Sequence, residues 1–413
     1  MSVSKTHYLS DYLAVAREDV EQALGLVPNN GEVSIDEALD TVAITTDVDL
    51  PGSRAESRGE ISQRLGLLSV DDPGVEVAQL VAQGINATAI HVIGLASHWV
   101  FAPGTDPEWV VGELSEVPDA DDDRRIGVID SGFVPGGPPW LNDYIDFDDP
   151  YDIELSAAGS GEVSHGTFIA GLLRQLACTH RVSTARLPLV HPDMVTGLEE
   201  RDLSATRLST ELHLLEAMFT LCDRHSAPPD ALNLSLGTYT ANDLSTFIMR
   251  LAINYWYART GGQPIFAAGG NEYEQPGDPY SPFWPAAFAD VTAVGAARPD
   301  GSEVVWDYHN PTLSGFEEMA APSGMNRRPW INRLAPGTDV IGLSGRTDAK
   351  GSPRLVKWSG SSFAAPVALA MHLRGVSTNS VHTDVEGLTY QGSAAIEEVP
   401  WGRSPCAPPV KVS

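Results

Sequence analysis

The chain has 413 residues, 42% hydrophobic and 20% charged, enough for one large α/β domain beside a smaller one and too ordinary in composition for global disorder. Its formal net charge of −29 argues against a nucleic-acid surface, which needs clustered Lys and Arg, and disfavours adhesion to anionic lipid.

The first twenty residues contain no apolar core of signal-peptide length, and no run approaches the roughly 18 apolar residues of a membrane span. The three cysteines, Cys178, Cys222 and Cys406, are widely spaced and fit no metal-binding pattern, so they read as buried free thiols in a reducing compartment. These features predict a cytoplasmic protein, with leaderless export as the other route.

In chain order, the pattern predicts a helix near 9–25, a strand near 41–49, a helix near 73–84 and a strand near 85–95. Residues 1–112 are therefore expected to form a small α+β domain. An acidic run from Glu113 to Asp123, ending in Arg124 and Arg125, reads as a solvated linker over 113–124. Residues 1–124 hold 23 Asp and Glu against 6 Lys and Arg, so much of the negative charge is concentrated there. Over 125–380, apolar strands at 126–130, 179–190, 231–237, 264–270 and 291–296 alternate with helices near 167–176, 207–225 and 243–261. That order predicts a parallel sheet with helices on both faces, a three-layer α/β arrangement. Residues 381–413 form a C-terminal extension.

In parallel sheets ligands bind beyond the carboxyl ends of the strands, and four segments place chemistry there or at helix starts. IGVIDSG ends an apolar strand on Asp130, which is costly unless paired; capping of the next turn is the simpler reading of that residue alone. SHGTFIAGLL puts His165 at a helix start, beside Gly166, which permits a close approach of another backbone or a substrate. FAAGGNE puts Asn271 on a loop after a buried strand, where turn formation alone would explain it. SGSSFAAPVALAMHL puts Ser362 at the head of a small-residue helix with Pro366 in its first turn, its dipole favouring negative charge beside the serine.

Taken together, VIDSG, HGTxxAG, AAGGN and GSSxAxP, in the order Asp, His, Ser, resemble the motifs of the subtilisin-like serine peptidases over roughly residues 125–375. LSLG at 234–237, WPAAFADVTAVGA at 284–296 and LAPGTDV at 334–340 add to the likeness. Gly360-Ser361-Ser362 stands where the family has Gly-Thr-Ser, which keeps the neighbouring hydroxyl. The resemblance implies a subtilisin-like fold and a serine endopeptidase acting through an acyl-enzyme. Ser362 is then the nucleophile, His165 the base, Asp130 its orienter and Asn271 an oxyanion-hole donor.

The resemblance further implies a polypeptide substrate added as a strand between Ser235-Leu236-Gly237 and Ala267-Ala268-Gly269. It places Phe283 at the floor of the pocket for the residue before the scissile bond. It requires no cofactor. Structural calcium is common in the family, and the acids Asp146, Asp148, Asp149 and Asp152 offer it a site, but their spacing fits no calcium loop and reads better as a solvated acidic loop. The resemblance makes residues 1–112 a propeptide that inhibits in cis, with a permanent regulatory domain or a partner-recognition domain as the alternatives. The competing function is a catalytically silent protein that holds a peptide in the same cleft.

Overall fold

The computed structural model describes residues 7–27, 31–43, 52–94, 107–111, 117–147, 163–196, 208–240, 245–271, 282–297, 304–307, 317–320 and 330–375. Two compact units emerge. One comprises Met1–Val100, Leu187–Pro228 and Thr238–Gly262; the other comprises Phe101–Arg186, Pro229–Gly237 and Gln263–Ser413.

The first unit is built on a five-stranded antiparallel sheet in the order Glu32–Val33, Leu65–Ser69, Tyr8–Ala16, Ala87–Gly94, Leu208–Thr210. The helix expected over 9–25 is instead the central strand Tyr8–Ala16, followed by a short helical turn and the helix Val20–Leu26. Residues Tyr12 to Ala16 are buried in succession, and such a continuous apolar run carries no period that separates helix from strand. Pairing on both edges, Leu13 with Leu68 and with Ala89, decides the matter.

The expected helix and strand at 73–84 and 85–95 appear as Pro73–Ala82 and Ala87–Gly94. Helix Ile35–Val42 occupies the start of the expected 41–49 strand, whose remainder from residue 44 lies outside the described residues. Two downstream helices belong to the same unit: Glu211–Asp223 packs on helix Gly52–Ser62 and on helix Phe247–Thr260. Glu211–Asp223 is buried from Glu211 to Cys222, the signature of a helix enclosed on all sides.

The interface between Gly52–Ser62 and Glu211–Asp223 is polar. Glu216 accepts from Arg54 Nη1 at 2.9 Å and Arg58 Nε at 2.6 Å, while Arg58 Nη1 reaches Asp40 at 2.8 Å and Asp36 at 3.2 Å. Ser57 and Thr220 hydroxyls meet at 3.0 Å. Burial pushes the Glu216 carboxyl up, but the two guanidiniums outweigh it and hold it below the usual carboxylate range.

The second unit contains a seven-stranded, wholly parallel sheet in an α/β architecture with helices on both sides. Its order is Arg333–Pro336, Thr292–Ala297, Ile265–Ala268, Ala231–Leu234, Asp121–Asp130, His180–Arg186, Ile145–Asp146. Helix Ser361–Leu373 packs across the strands Ala231–Leu234, Ile265–Ala268, Thr292–Ala297 and Arg333–Pro336, and helix His165–Leu176 packs beside it. The strand expected from residue 126 begins at Asp121, inside the acidic run, because Asp121 already pairs with His180. Just upstream, the Pro118 carbonyl accepts from Arg174, a fully buried guanidinium that also donates to the carbonyls of Trp140, Cys178 and His180. The C-terminal extension 381–413 lies outside the described residues.

The cysteines depart from expectation. Cys222 is a buried free thiol whose pKa burial pushes up to about 12, but Cys178 is disulfide-bonded. Sequence separation gives no measure of whether a second sulfur comes within bonding reach. Since disulfides persist in oxidising surroundings, the cysteines no longer argue for a reducing compartment. Cys406 lies outside the described residues. Among the described residues no helix is long and apolar enough to cross a membrane.

Candidate active site

Asp130 is the last residue of a fully apolar strand end, and its carboxylate is 2% exposed. Two groups compensate that burial. Its Oδ1 accepts from the Ser131 N–H at 2.7 Å, and its two oxygens lie 2.8 and 3.0 Å from His165 Nδ1. A carboxylate on Nδ1 fixes that nitrogen as the protonated one and leaves Nε2 as an acceptor.

His165 starts its helix because Ser164 caps it, accepting from Thr167 N at 3.1 Å, while Thr167 Oγ1 accepts from Val134 N at 2.8 Å. Gly166 earns its place sterically. A Cβ there would sit 1.9 Å from the Gly132 carbonyl oxygen, so only glycine lets the loop after Asp130 close onto the helix carrying His165. The close neighbour allowed by Gly166 is thus the protein's own backbone.

Ser362 stands in the first turn of helix Ser361–Leu373, after Gly360, whose backbone is extended. Pro366 proves to be the sixth residue of this helix, inside it and beyond the first turn, because the helix begins at Ser361. The Ser361 N–H donates to Asn271 Oδ1 at 2.6 Å. Only the oxygen of that amide can accept, so the bond sets its orientation and turns the NH2 end the other way. The His165 ring packs edge-on to Trp358, centroids 5.5 Å apart, and against Phe363 at 5.4 Å. Phe363 directly follows Ser362, which places the imidazole at the start of the Ser362 helix. Ser362 Oγ itself donates to the Ser235 carbonyl at 3.4 Å; no hydrogen bond joins it to His165 in this structure.

The other residues picked from the sequence are placed as follows. Ser235 and Leu236 are each 2% exposed, just beyond strand Ala231–Leu234. Ala267 and Ala268 lie inside the sheet, paired with strand Thr292–Ala297. Gly269 N–H donates to Val294 O at 2.8 Å and its carbonyl accepts from Trp330 Nε1 at 3.1 Å. Phe283 is 4% exposed and its ring rests on Gly237, where a Cβ would come within 2.3 Å of it.

Asp146 lies between two guanidiniums, 3.2 Å from Arg125 Nε and 2.9 Å from Arg181 Nη2, which supply the positive charge a cation would bring. Asp148, Asp149 and Asp152 lie outside the described residues, and among the described residues no cluster of three metal-ligating side chains occurs.

Sequence reasoning missed the aromatic enclosure of His165 by Trp358, Phe363 and Phe168, which packs against both. It also missed Asn233, a buried amide whose Nδ2 donates to Ser235 Oγ at 2.9 Å. Asn233 had a signal: it is the one polar residue in the strand ALNL.

Comparison with known proteins gives one family match, to the model described as the subtilase family (Peptidase S8), over residues 121–378. No curated protein matches the sequence. Among solved structures, the chain is similar to a cold-adapted subtilisin-like serine proteinase at 18% identity, with 67% of this chain and 86% of that one aligned and a TM-score of 0.42. It is similar to the MycP3 protease of the type VII (ESX-3) secretion system at 19% identity, with 73% and 86% aligned and a TM-score of 0.40. A third similar structure is the prenylagaramide maturation protease PagA, at 18% identity, with 63% and 80% aligned and a TM-score of 0.40. The family match spans more than half of the chain and carries the assignment by itself.

Proposed function

The chain belongs to the subtilase family of serine peptidases, and from that premise we propose that it is an endopeptidase that cleaves polypeptides through an acyl-enzyme on Ser362. The observation that carries this reading is the Asp130–His165 pair, held at 2.8 Å and packed against the start of the Ser362 helix.

In the proposed reaction Ser362 Oγ turns from the Ser235 carbonyl to His165 Nε2, gives up its proton there and attacks the scissile carbonyl. Asp130 steadies the imidazolium that forms. The tetrahedral oxyanion is met by the Asn271 NH2 group and the Ser362 N–H at the helix start. The protonated imidazole then delivers its proton to the leaving amine, and water repeats the sequence on the ester. Every group in these steps comes from the chain, so the proposal includes no cofactor.

A second reading is favoured by one observation: Ser362 Oγ rests on a main-chain carbonyl and not on the imidazole. A silent peptide-binding protein would keep it there. Labelling with a fluorophosphonate separates the two readings. Stoichiometric labelling, lost in Ser362→Ala together with about 10⁶-fold of turnover, supports the peptidase; a wild-type protein that stays unlabelled both intact and after limited proteolysis within residues 113–124 sinks it. Asn271→Ala should lower kcat by roughly 10²–10³ with KM little changed, since its bond forms chiefly in the transition state. A loss confined to KM would remove Asn271 from the oxyanion hole.

We further read residues 1–112 as restraining the enzyme in cis. The mass of the fluorophosphonate-labelled species tests whether that segment stays covalently attached in the active form.

A further inference from the structure

Strand Ala231–Leu234 runs between two parallel neighbours, with Asn233 opposite Val128 on one side and Phe266 on the other. Central parallel strands are covered on both faces and fill with aliphatic residues. An amide there costs stability unless its groups are paired. Asn233 is fully shielded, and its Oδ1 has no hydrogen-bond partner among the described residues. Packing alone offers no reason for an asparagine at this position.

Its Nδ2 supplies the reason. It donates to Ser235 Oγ at 2.9 Å, and the Ser235 hydroxyl in turn donates to the main-chain carbonyl of Ser362 at 2.6 Å. In an α-helix that carbonyl would accept from the N–H four residues on. The residue four on is Pro366, which has none. A proline inside this helix therefore opens a vacancy at the nucleophile's own carbonyl, and Ser235 fills it from the neighbouring strand.

We propose that Asn233 and Ser235 are positioning residues for the nucleophile, a two-bond relay that ties the backbone at Ser362 to the end of strand Ala231–Leu234. The donor amide of Asn233 occupies one lone pair of Ser235 Oγ and aims its hydrogen at Ser362 O. With the carbonyl pinned, Ser362 Cα and Cβ are fixed, and Oγ swings about one bond between its resting contact and the imidazole. The catalytic role given to Ser362 rests on the peptidase reading; the relay itself is a statement about the backbone and can be measured without turnover.

The test compares Asn233→Leu, Ser235→Ala, Ser235→Thr and the double variant Asn233→Leu/Ser235→Ala in the full chain. Relaxing the nucleophile by a fraction of an ångström should lower kcat about 10-fold with KM unchanged, since small misplacements of reacting groups are costly. Asn233→Leu should lower kcat while Tm holds or rises, because a buried amide with an unpaired oxygen has gone. A merely structural role moves Tm down with activity and cannot give that opposition. Ser235→Thr keeps the hydroxyl and should restore kcat. The double variant should be no worse than the worse single one, as expected for two members of one chain of bonds. Multiplying losses, or an unchanged kcat in Ser235→Ala, overturn the relay.

Amide hydrogen exchange over residues 359–366 gives an arm independent of turnover. Exchange should quicken several-fold in Asn233→Leu and Ser235→Ala and stay at the wild-type rate in Ser235→Thr. Should fluorophosphonate fail to label the wild-type protein both intact and after limited proteolysis within residues 113–124, the peptidase reading fails while exchange still judges the relay. Exchange that is the same in all variants rejects it.

Discussion

The two compact units bury polar side chains to different ends. In the unit containing the amino-terminal strands, a buried carboxylate meets two opposite charges: Glu216 faces Arg54 and Arg58, and Arg58 continues to Asp36 and Asp40. The network joins helix Gly52–Ser62 to Glu211–Asp223, segments more than a hundred residues apart in the chain. In the unit with the parallel sheet, Asp130 faces an imidazole, Asn233 keeps an oxygen without a partner among the described residues, and Arg174 is held by carbonyls and not by a carboxylate. Paired charges specify which segments pack together. Buried polar groups that face no opposite charge cost stability and leave groups placed for chemistry.

The largest effect expected from this contrast is on stability. Glu216→Leu leaves the Arg54 guanidinium buried without its carboxylate and deprives Arg58 of its buried partner, a change that typically costs about 3–5 kcal/mol. Urea unfolding should show it as a lowered midpoint, while kcat per folded molecule stays at the wild-type value. Replacing all three members with apolar residues of similar volume should recover most of the loss. The contrast breaks if Glu216→Leu leaves the midpoint in place, or if it lowers turnover of folded protein as Asn271→Ala does.

The sheet unit meets burial at His180 in the opposite way, by keeping the group neutral. The ring is 1% exposed, and burial, with the charge of Arg124 adding to it, pushes its pKa down to about 4. An unfolded histidine titrates near 6.5, so below that pH the unfolded chain binds a proton that the folded one refuses. Stability from this residue is fully present above about pH 6.5 and is lost as pH falls toward 4, by about 3 kcal/mol in all. His180→Leu should flatten the dependence of the urea midpoint on pH within that window and leave it alone above pH 7. Equal slopes in the two proteins would show that His180 is not the group responsible.

The sheet unit was the more legible in sequence, and the reason is physical. Parallel strands covered on both faces read as short apolar runs, so 126–130, 231–237, 264–270 and 291–296 stand out, and a charged or amide residue at the end of one is conspicuous. The other unit hides its plan. Tyr8–Ala16 is a strand whose buried run fits either period, and helix Gly52–Ser62 turns Arg54, Ser57 and Arg58 inward, the reverse of the usual pattern. Its burial makes sense only once Glu216 and Thr220, far along the chain, are seen opposite. The same holds for the relay. Asn233, Ser235 and Pro366 are each visible in sequence, but the vacancy at Ser362 O appears only when the helix is known to start at Ser361.

The smallest effect expected concerns substrate choice, and it sets packing against chemistry at one residue. Phe283 is buried with its ring against Gly237, a residue of the segment proposed to flank the substrate. If this contact forms the floor of the pocket, the ring takes the volume a large side chain would need, and forcing one in costs about 1–3 kcal/mol, or roughly 5–150-fold in kcat/KM. The wild-type enzyme should then favour Ala or Gly before the scissile bond, and Phe283→Gly should shift preference toward Phe and Leu without loss of fold. If the ring instead only supports the core, Phe283→Gly should cost about 3–5 kcal/mol and leave the preference as it was. Gly237→Ala probes the contact from the other side. Its methyl would meet the Phe283 ring and the Trp284 carbonyl, the latter at 2.6 Å, and only the ring can swing away. In the pocket reading that displacement narrows the site further, so even Ala at this position of the substrate should lose to Gly. A peptide series varied at that one residue, run on the three proteins, decides between them, and a wild-type preference for bulky aromatics would rule the filled pocket out.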